Sequence, residues 1–225
     1  LKIIIKYNLA VLKMKNINLS SNTILIYRIL FAGLSWFTFI ASIVNYGLYY
    51  GPILEWFNSF KAFTIQTNFM VTIWLTLAIL WHKKSETLEK ITGLLKGAFT
   101  VYITITFIFF AVLLAPFYHP TGWAAFTNLV FHYITPIAFI VDWILTENKL
   151  RYKWKYLPYW IFIYPVCYLA FVFIHGTFTG DYIYYFFNIN TLGILVSALF
   201  VSIIITTGIV LGSVYIAINR IRTRS

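Results

Sequence analysis

Six apolar runs separated by short polar connectors dominate the chain, at about residues 23–48, 60–81, 93–117, 123–146, 157–175 and 192–218. Each is long enough, at about 1.5 Å of rise per residue, to cross a hydrocarbon core of roughly 30 Å as a helix. The pattern predicts an all-α polytopic membrane protein with six transmembrane helices. It divides the chain into an N-terminal segment over 1–22, a six-helix transmembrane domain over 23–219 and a basic tail over 220–225. The opening stretch has a short apolar core and no small-residue cleavage pattern, so it reads as a cytoplasmic or interfacial segment; Met14 is an alternative start.

Polar residues inside such runs are costly and point to cavities or to packing glue. The fourth run holds the most informative set. At about 100° per residue Asn128, His132, Thr135 and Asp142 share one face. Pro136 cannot donate to the carbonyl of His132, so the backbone beside the histidine is expected to open or kink. Freed backbone groups within a bilayer need a side chain, another helix or water, which implies a buried polar cavity there. Asp142 lies about 15 Å from His132 along a regular helix, too deep to touch it. Its readings are a structural ion pair near the inner interface or a functional group. In the second run Thr64, Thr67 and Asn68 cluster near the helix start at a depth similar to that of His132. In the fifth, Tyr164, Tyr168 and His175 share a face beside Pro165, and with Thr135 they are expected to line a substrate cavity. Gly208 and Gly212 mark the sixth run as a close-packing helix.

Composition sharpens this picture. Of the residues 61% are hydrophobic and 10% charged, which excludes a soluble globular domain. The net charge of +11 would suggest nucleic acid in a soluble protein, but the basic residues sit in alternate connectors. Lys2, Lys6, Lys13 and Lys15 precede the first run. Lys83, Lys84 and Lys90 follow the second; Lys149, Arg151, Lys153 and Lys155 follow the fourth; Arg220, Arg222 and Arg224 follow the sixth. Arg28 and Lys96 are expected to snorkel to the same side, leaving Lys61 opposite. The positive-inside rule then places both termini in the cytoplasm, with a membrane lipid rather than nucleic acid as the expected partner. Cys167 is the lone cysteine, so no intrachain disulfide is possible.

A threonine hydroxyl beside a histidine suits acyl transfer: imidazole takes the proton, the oxygen attacks an ester carbonyl, and the imidazolium protonates the leaving alcohol. Asn68 or Asn128 would supply the oxyanion donor. The stretches FTIQTNFMV (63–71), FHYITPIAFIVDWIL (131–145) and YPVCYLAFVFIHGTFTGDYIYYFF (164–187) carry a resemblance at these residues. They resemble the six-helix membrane proteins grouped with androgen-induced protein one and the androgen-dependent TFPI-regulating protein, in particular the bacterial branch known as Pr-six-Pr membrane proteins. The resemblance implies a threonine hydrolase of fatty acid esters of hydroxy fatty acids, with no metal or cofactor, in a bacterial inner membrane. His132 matches the family histidine ahead of a proline. Lys61-Ala-Phe-Thr64 matches the family's Lys-Phe-Leu-Thr, making Thr64 the implied nucleophile. The family places Asp or Asn three residues after that threonine, whereas Asn68 is four after Thr64, so Thr67 stays open as the alternative. Tyr184-Tyr185-Phe186-Phe187 stands where the bacterial branch reads Tyr-Pro-Phe-Leu.

Two other classes remain open from the residues. A zinc-dependent lipid amidohydrolase would draw on His119, His132, His175 and Asp181. A non-enzymatic lipid-binding, transport or scaffold protein would use the threonines and His132 for packing.

Overall fold

The computed structural model describes residues 19–83 and 85–223, the helical stretch 85–90 in its backbone alone. The expected interfacial segment up to residue 18, the alternative start at Met14, and Lys2, Lys6, Lys13, Lys15, Lys84 and Arg224 lie outside the described residues. The described residues form helices and no strand, and six of these helices are long and apolar enough to cross a membrane: α1 (Ser21–Tyr49), α2 (Phe63–Leu80), α3 (Ile91–Leu114), α4 (Gly122–Thr146), α5 (Tyr156–Thr179) and α6 (Ile189–Arg222). It is therefore an integral membrane protein of six spans. Consecutive helices run in opposite directions. One end of the bundle carries the start of α2 and the start of α4. The other carries Lys83, Lys149, Arg151, Lys153, Lys155 and Arg220; these are called the site end and the basic end.

The helices start and stop where local chemistry allows. The Ser20 hydroxyl accepts the Thr23 N–H at 3.1 Å to cap α1, and the Asn188 side chain caps α6 through the Asn190 and Thr191 amides. Gly180 ends α5 at φ 74°, a left-handed position suited to glycine. The helix α3 is the hub and the most buried of the six, whereas α6 lies at the perimeter with most of its residues exposed or half-buried. It packs between α2, α4, α5 and α6 around Val101, Tyr102, Trp143, Trp160 and Ile216. Gly212 lets α6 approach α5, since a Cβ there would lie 2.6 Å from Leu157 Cδ1.

Two π-turns interrupt the ladder, at Phe110–Leu114 in α3 and at Val130–Ile134 in α4. Each ends at a residue whose N–H reaches back five positions, Ala115 to the Phe110 carbonyl and Thr135 to the Val130 carbonyl. Each is followed at once by a proline, Pro116 or Pro136. In the π register, the N–H that Pro136 lacks would have served Phe131. The Asn68 Nδ2 group of α2 takes its place, donating to the Phe131 carbonyl at 2.8 Å. The expected opening beside His132 is thus a π-turn closed by a neighbouring helix. The single polar stripe expected along α4 does not survive it. An extra residue in the turn rotates the remainder of the helix by roughly 100°, so Thr135 and Asp142 leave the face of Asn128 and His132.

At the basic end, Asp142 is fully buried and pairs with Arg28 Nε and Lys96 Nζ, each at 2.7 Å. Lys96 also meets Glu147 at 3.3 Å. Arg28 and Lys96 therefore do not snorkel to the interface as expected; a carboxylate in a low-dielectric core holds them. Tyr152 extends the cluster by donating to Glu147 at 2.8 Å, and burial together with that carboxylate pushes its hydroxyl well above the usual tyrosine range. Asn219 of α6 bonds the Tyr152 N–H and the Glu147 and Leu150 carbonyls, fastening the connector. Breaking such a buried pair from one side leaves uncompensated charge, at a cost of about 3–5 kcal/mol. Asp142→Ala is expected to lower stability by that order in detergent unfolding, and Asp142→Ala with Lys96→Met to recover part of it.

Candidate active site

Thr64 is the second residue of α2, a helix that begins at Phe63 after Ala62 with no side-chain cap. Its first amides are therefore exposed partial positive charge, an environment that favours an anion. Tyr184, carried in by the α5–α6 connector, fills part of the gap. Its hydroxyl accepts the Phe63 N–H at 3.1 Å, beside the Thr64 side chain. Burial pushes the Tyr184 hydroxyl above its ordinary range, so it stays protonated and able to donate. The connector is anchored at Gly176, whose missing side chain makes room for the Tyr182 ring, and by buried Phe187 against α5.

His132 sits in the π-turn of α4, its ring stacked on Phe110 of the facing π-turn with centroids 3.7 Å apart. Nδ1 lies 3.2 Å from the Asn128 carbonyl. A carbonyl only accepts, so this contact puts the proton on Nδ1 and the lone pair on Nε2.

Thr64 and His132 both line a cavity of about 610 Å³ at the site end, along with Asn128, Phe110, Tyr118 and Tyr184. Thr64, Phe110 and Tyr184 also line a narrow, almost wholly apolar slot between α2, α3, α5 and α6, walled further by Leu169 and Ile205. Thr64 thus stands where a wide cavity set with uncharged polar side chains meets a narrow apolar slot. Its hydroxyl meets Tyr184 and is not hydrogen-bonded to His132.

The other expected residues divide. Thr67 is buried and turned to α3, sharing a 2.9 Å hydrogen bond with the Thr106 hydroxyl, and it lines neither space. Asn68 is no oxyanion donor: one amide group bridges the Thr64 and Phe131 carbonyls, each at 2.8 Å. Asn128 does face the cavity, with Oδ1 unpartnered. Tyr168 lines the slot, while its hydroxyl donates to the Lys61 carbonyl. Thr135, Tyr164 and His175 lie outside both linings. Tyr164 is turned to Gln66, to which it donates at 2.8 Å, and His175 to the Asp181 backbone carbonyl at 2.9 Å. The donors of the zinc reading do not converge. His119 is exposed, the Asp181 carboxylate faces Lys61, and no metal-holding group of three His, Cys, Asp or Glu occurs among the described residues. The contact of Tyr184 with the start of α2 and the π-turn at Phe110 went unread in the sequence. The aromatic run 182–187 and Pro116 were their only signals.

No protein-family model, curated protein or solved structure matches the chain. Its class comes from its own architecture: a six-span membrane protein, helical throughout the described spans, with a threonine and a histidine on one cavity.

A Cβ at Gly176 would lie 2.3 Å from the Tyr182 ring. Gly176→Ala is expected to push the connector outward, seen as faster proteolytic cleavage within 181–188 than in the unaltered protein.

Proposed function

We propose that the protein is an intramembrane hydrolase of lipid esters with Thr64 as nucleophile and His132 as general base. One observation carries this reading: Thr64, at an uncapped helix start, and His132, with Nε2 carrying the lone pair, face the same cavity. The imidazole takes the Thr64 proton, directly or through one water, as Oγ1 attacks the ester carbonyl. The amides at the start of α2 and the Tyr184 hydroxyl stabilise the developing negative charge in place of Asn68. The tetrahedral intermediate expels the alcohol, which leaves with the imidazolium proton. Water, deprotonated by His132, then releases the fatty acid and restores Thr64. The acyl chain occupies the apolar slot and the alcohol the wider cavity. The chemistry so written needs no metal or cofactor.

This matches the resemblance to the threonine hydrolases of fatty acid esters. Charge bias places the basic end in the cytoplasm, so the site opens toward the outer half of a bacterial inner membrane. The absence of a direct hydrogen bond between Thr64 and His132 is what favours the rival reading, a lipid-binding protein without turnover. Intact lipid copurifying with a protein inert to ester-directed probes would decide for that rival.

A lipophilic fluorophosphonate, which loses fluoride as Thr64 Oγ1 bonds phosphorus, separates the roles by intact-protein mass spectrometry. Labelling is expected to vanish in Thr64→Ala, to slow about 10²-fold or more in His132→Ala, and to persist in Thr67→Ala. Full labelling of His132→Ala would overturn the assignment. Tyr184→Phe removes one hydrogen bond of about 1–1.5 kcal/mol and is expected to slow labelling about tenfold.

A further inference from the structure

The apolar slot is a side branch of the wide cavity, and its far end is closed. Thr64, Phe110, Leu114 and Tyr184 line both spaces, so the mouth of the slot lies at the threonine. The lining residues farthest toward the basic end are Ile105 on α3, Ile161 on α5 and Gly208 on α6, one from each helix. A Cβ at Gly208 would lie 3.1 Å from Ile161 Cδ1 and 3.6 Å from Ile105 Cδ1, so the two isoleucines and the glycine meet as a floor. One turn further along α6, Gly212 faces Leu157, Trp160 and Val101, and the space beneath the floor is packed core.

This floor is shallow. Thr67 and Thr106 share a 2.9 Å hydrogen bond and so stand at one depth. Thr64 lies three residues above that level and Ile105 one residue below it, which together make about 6 Å of helical rise. The α5 side agrees. The Phe63 ring packs on Tyr164 and Tyr168 with centroids 5.5 and 5.0 Å away, and Ile161 lies three to seven residues beneath those tyrosines, about 5–10 Å. An extended alkyl chain with bonds of about 1.5 Å and angles of about 111° advances roughly 1.25 Å per carbon, so about five carbons span the 6 Å depth. Volume leads to the same answer. The slot encloses about 70 Å³, half of the roughly 150 Å³ in which a dry apolar cavity takes up benzene.

We infer that the slot is a blind pocket for a short acyl chain of about four to six carbons, with Gly208 setting its depth, so that the ester cleaved joins a short acyl group to a large lipid alcohol. The inference rests on the hydrolase reading of Thr64, because it takes that hydroxyl as the point of attachment. A longer chain has to displace the floor, and a close-packed core resists each added methylene. Any side chain at position 208 raises the floor, and a smaller one at 161 lowers it. The bulk of the substrate falls on the alcohol side, where the cavity of about 610 Å³ has room for it.

Chain length is read on the full chain in nanodiscs with fluorophosphonates that share one bulky alkoxy group and carry a butyl, octyl or hexadecyl chain on phosphorus. Phosphorus stands in for the acyl carbon, so that chain enters the slot as Thr64 Oγ1 bonds phosphorus and fluoride leaves. Labelling by the butyl probe, followed by intact-protein mass spectrometry, is expected to be at least about tenfold faster than by the hexadecyl probe. Ile161→Ala should bring the octyl probe to within about twofold of the butyl one, and Gly208→Ala should slow the butyl probe about threefold or more. Equal or faster labelling by the hexadecyl probe, the result if a long chain leaves the slot sideways between α3 and α6, overturns the inference and leaves the hydrolase reading standing. Pentanoyl and heptadecanoyl amides of dodecylamine, which are not cleaved, keep the two readings apart when their binding is compared by native mass spectrometry. Unlabelled protein that binds the pentanoyl amide more tightly overturns the hydrolase reading and leaves the short pocket standing. Unlabelled protein without that preference overturns both.

Discussion

A backbone carbonyl in a hydrocarbon medium must find a donor, and the hydrogen bond from Asn68 to the Phe131 carbonyl meets that demand where the chain is least regular. Pro136 removes an N–H from α4, and the π-turn shifts the resulting vacancy from His132 to Phe131. The same amide group also holds the Thr64 carbonyl. One side chain therefore ties the residue that carries the hydroxyl to the turn that carries the imidazole. The register between α2 and α4 is set by satisfying the backbone, and the cavity between them results from it. Loss of Asn68 would strand the Phe131 carbonyl as well as loosen the site, so a role in geometry and a role in stability coincide in this residue.

Polarity is distributed in two forms along the bundle. At the basic end the buried charges are balanced, with Arg28 and Lys96 against Asp142 and Glu147. That cluster, with Tyr152 and Asn219, closes the space between helices. At the site end the buried polar groups are neutral, and several lack partners. Paired ions fix helices, because separating them exposes charge to low dielectric; neutral hydroxyls and amides leave room for a ligand, because their alternative partner is water or another hydroxyl. The bundle is thus closed by paired ions at one end and hollow at the other.

The six spans were legible because membrane-length apolar runs are the strongest signal a sequence carries, and His132 with Pro136 stood out because neither sits cheaply in such a run. The depth of Thr64 and Asn68 came from helical rise. The facing of individual side chains was not legible, because a constant turn of 100° per residue fails at a π-turn, and α4 contains one. That single extra residue moved Thr135 and Asp142 off the face of His132. Arg28 and Lys96 were read as interfacial because their position near a helix end permits snorkelling, yet a buried carboxylate on another helix competes with water and holds them. Long-range contacts of this kind, such as Tyr184 reaching Phe63, have no periodic trace in the sequence.

The choice between Thr64 and Thr67 illustrates how local rules mark a site by being broken. A helix start prefers Ser, Thr, Asp or Asn at its cap, and α2 has Ala62 there. Its first amides are left to a tyrosine from a connector far along the chain and to whatever occupies the cavity. Thr64 lies in that first turn, where an alkoxide or an oxyanion would be stabilised by the uncapped amides. Thr67 lies one turn further in, where the amides are already bonded within the helix and the hydroxyl is held by Thr106. A good cap would have made α2 more stable and its first turn less hospitable to negative charge. The missing cap and the two π-turns fall around one cavity, so the departures from local preference gather in one place, where a functional site is expected.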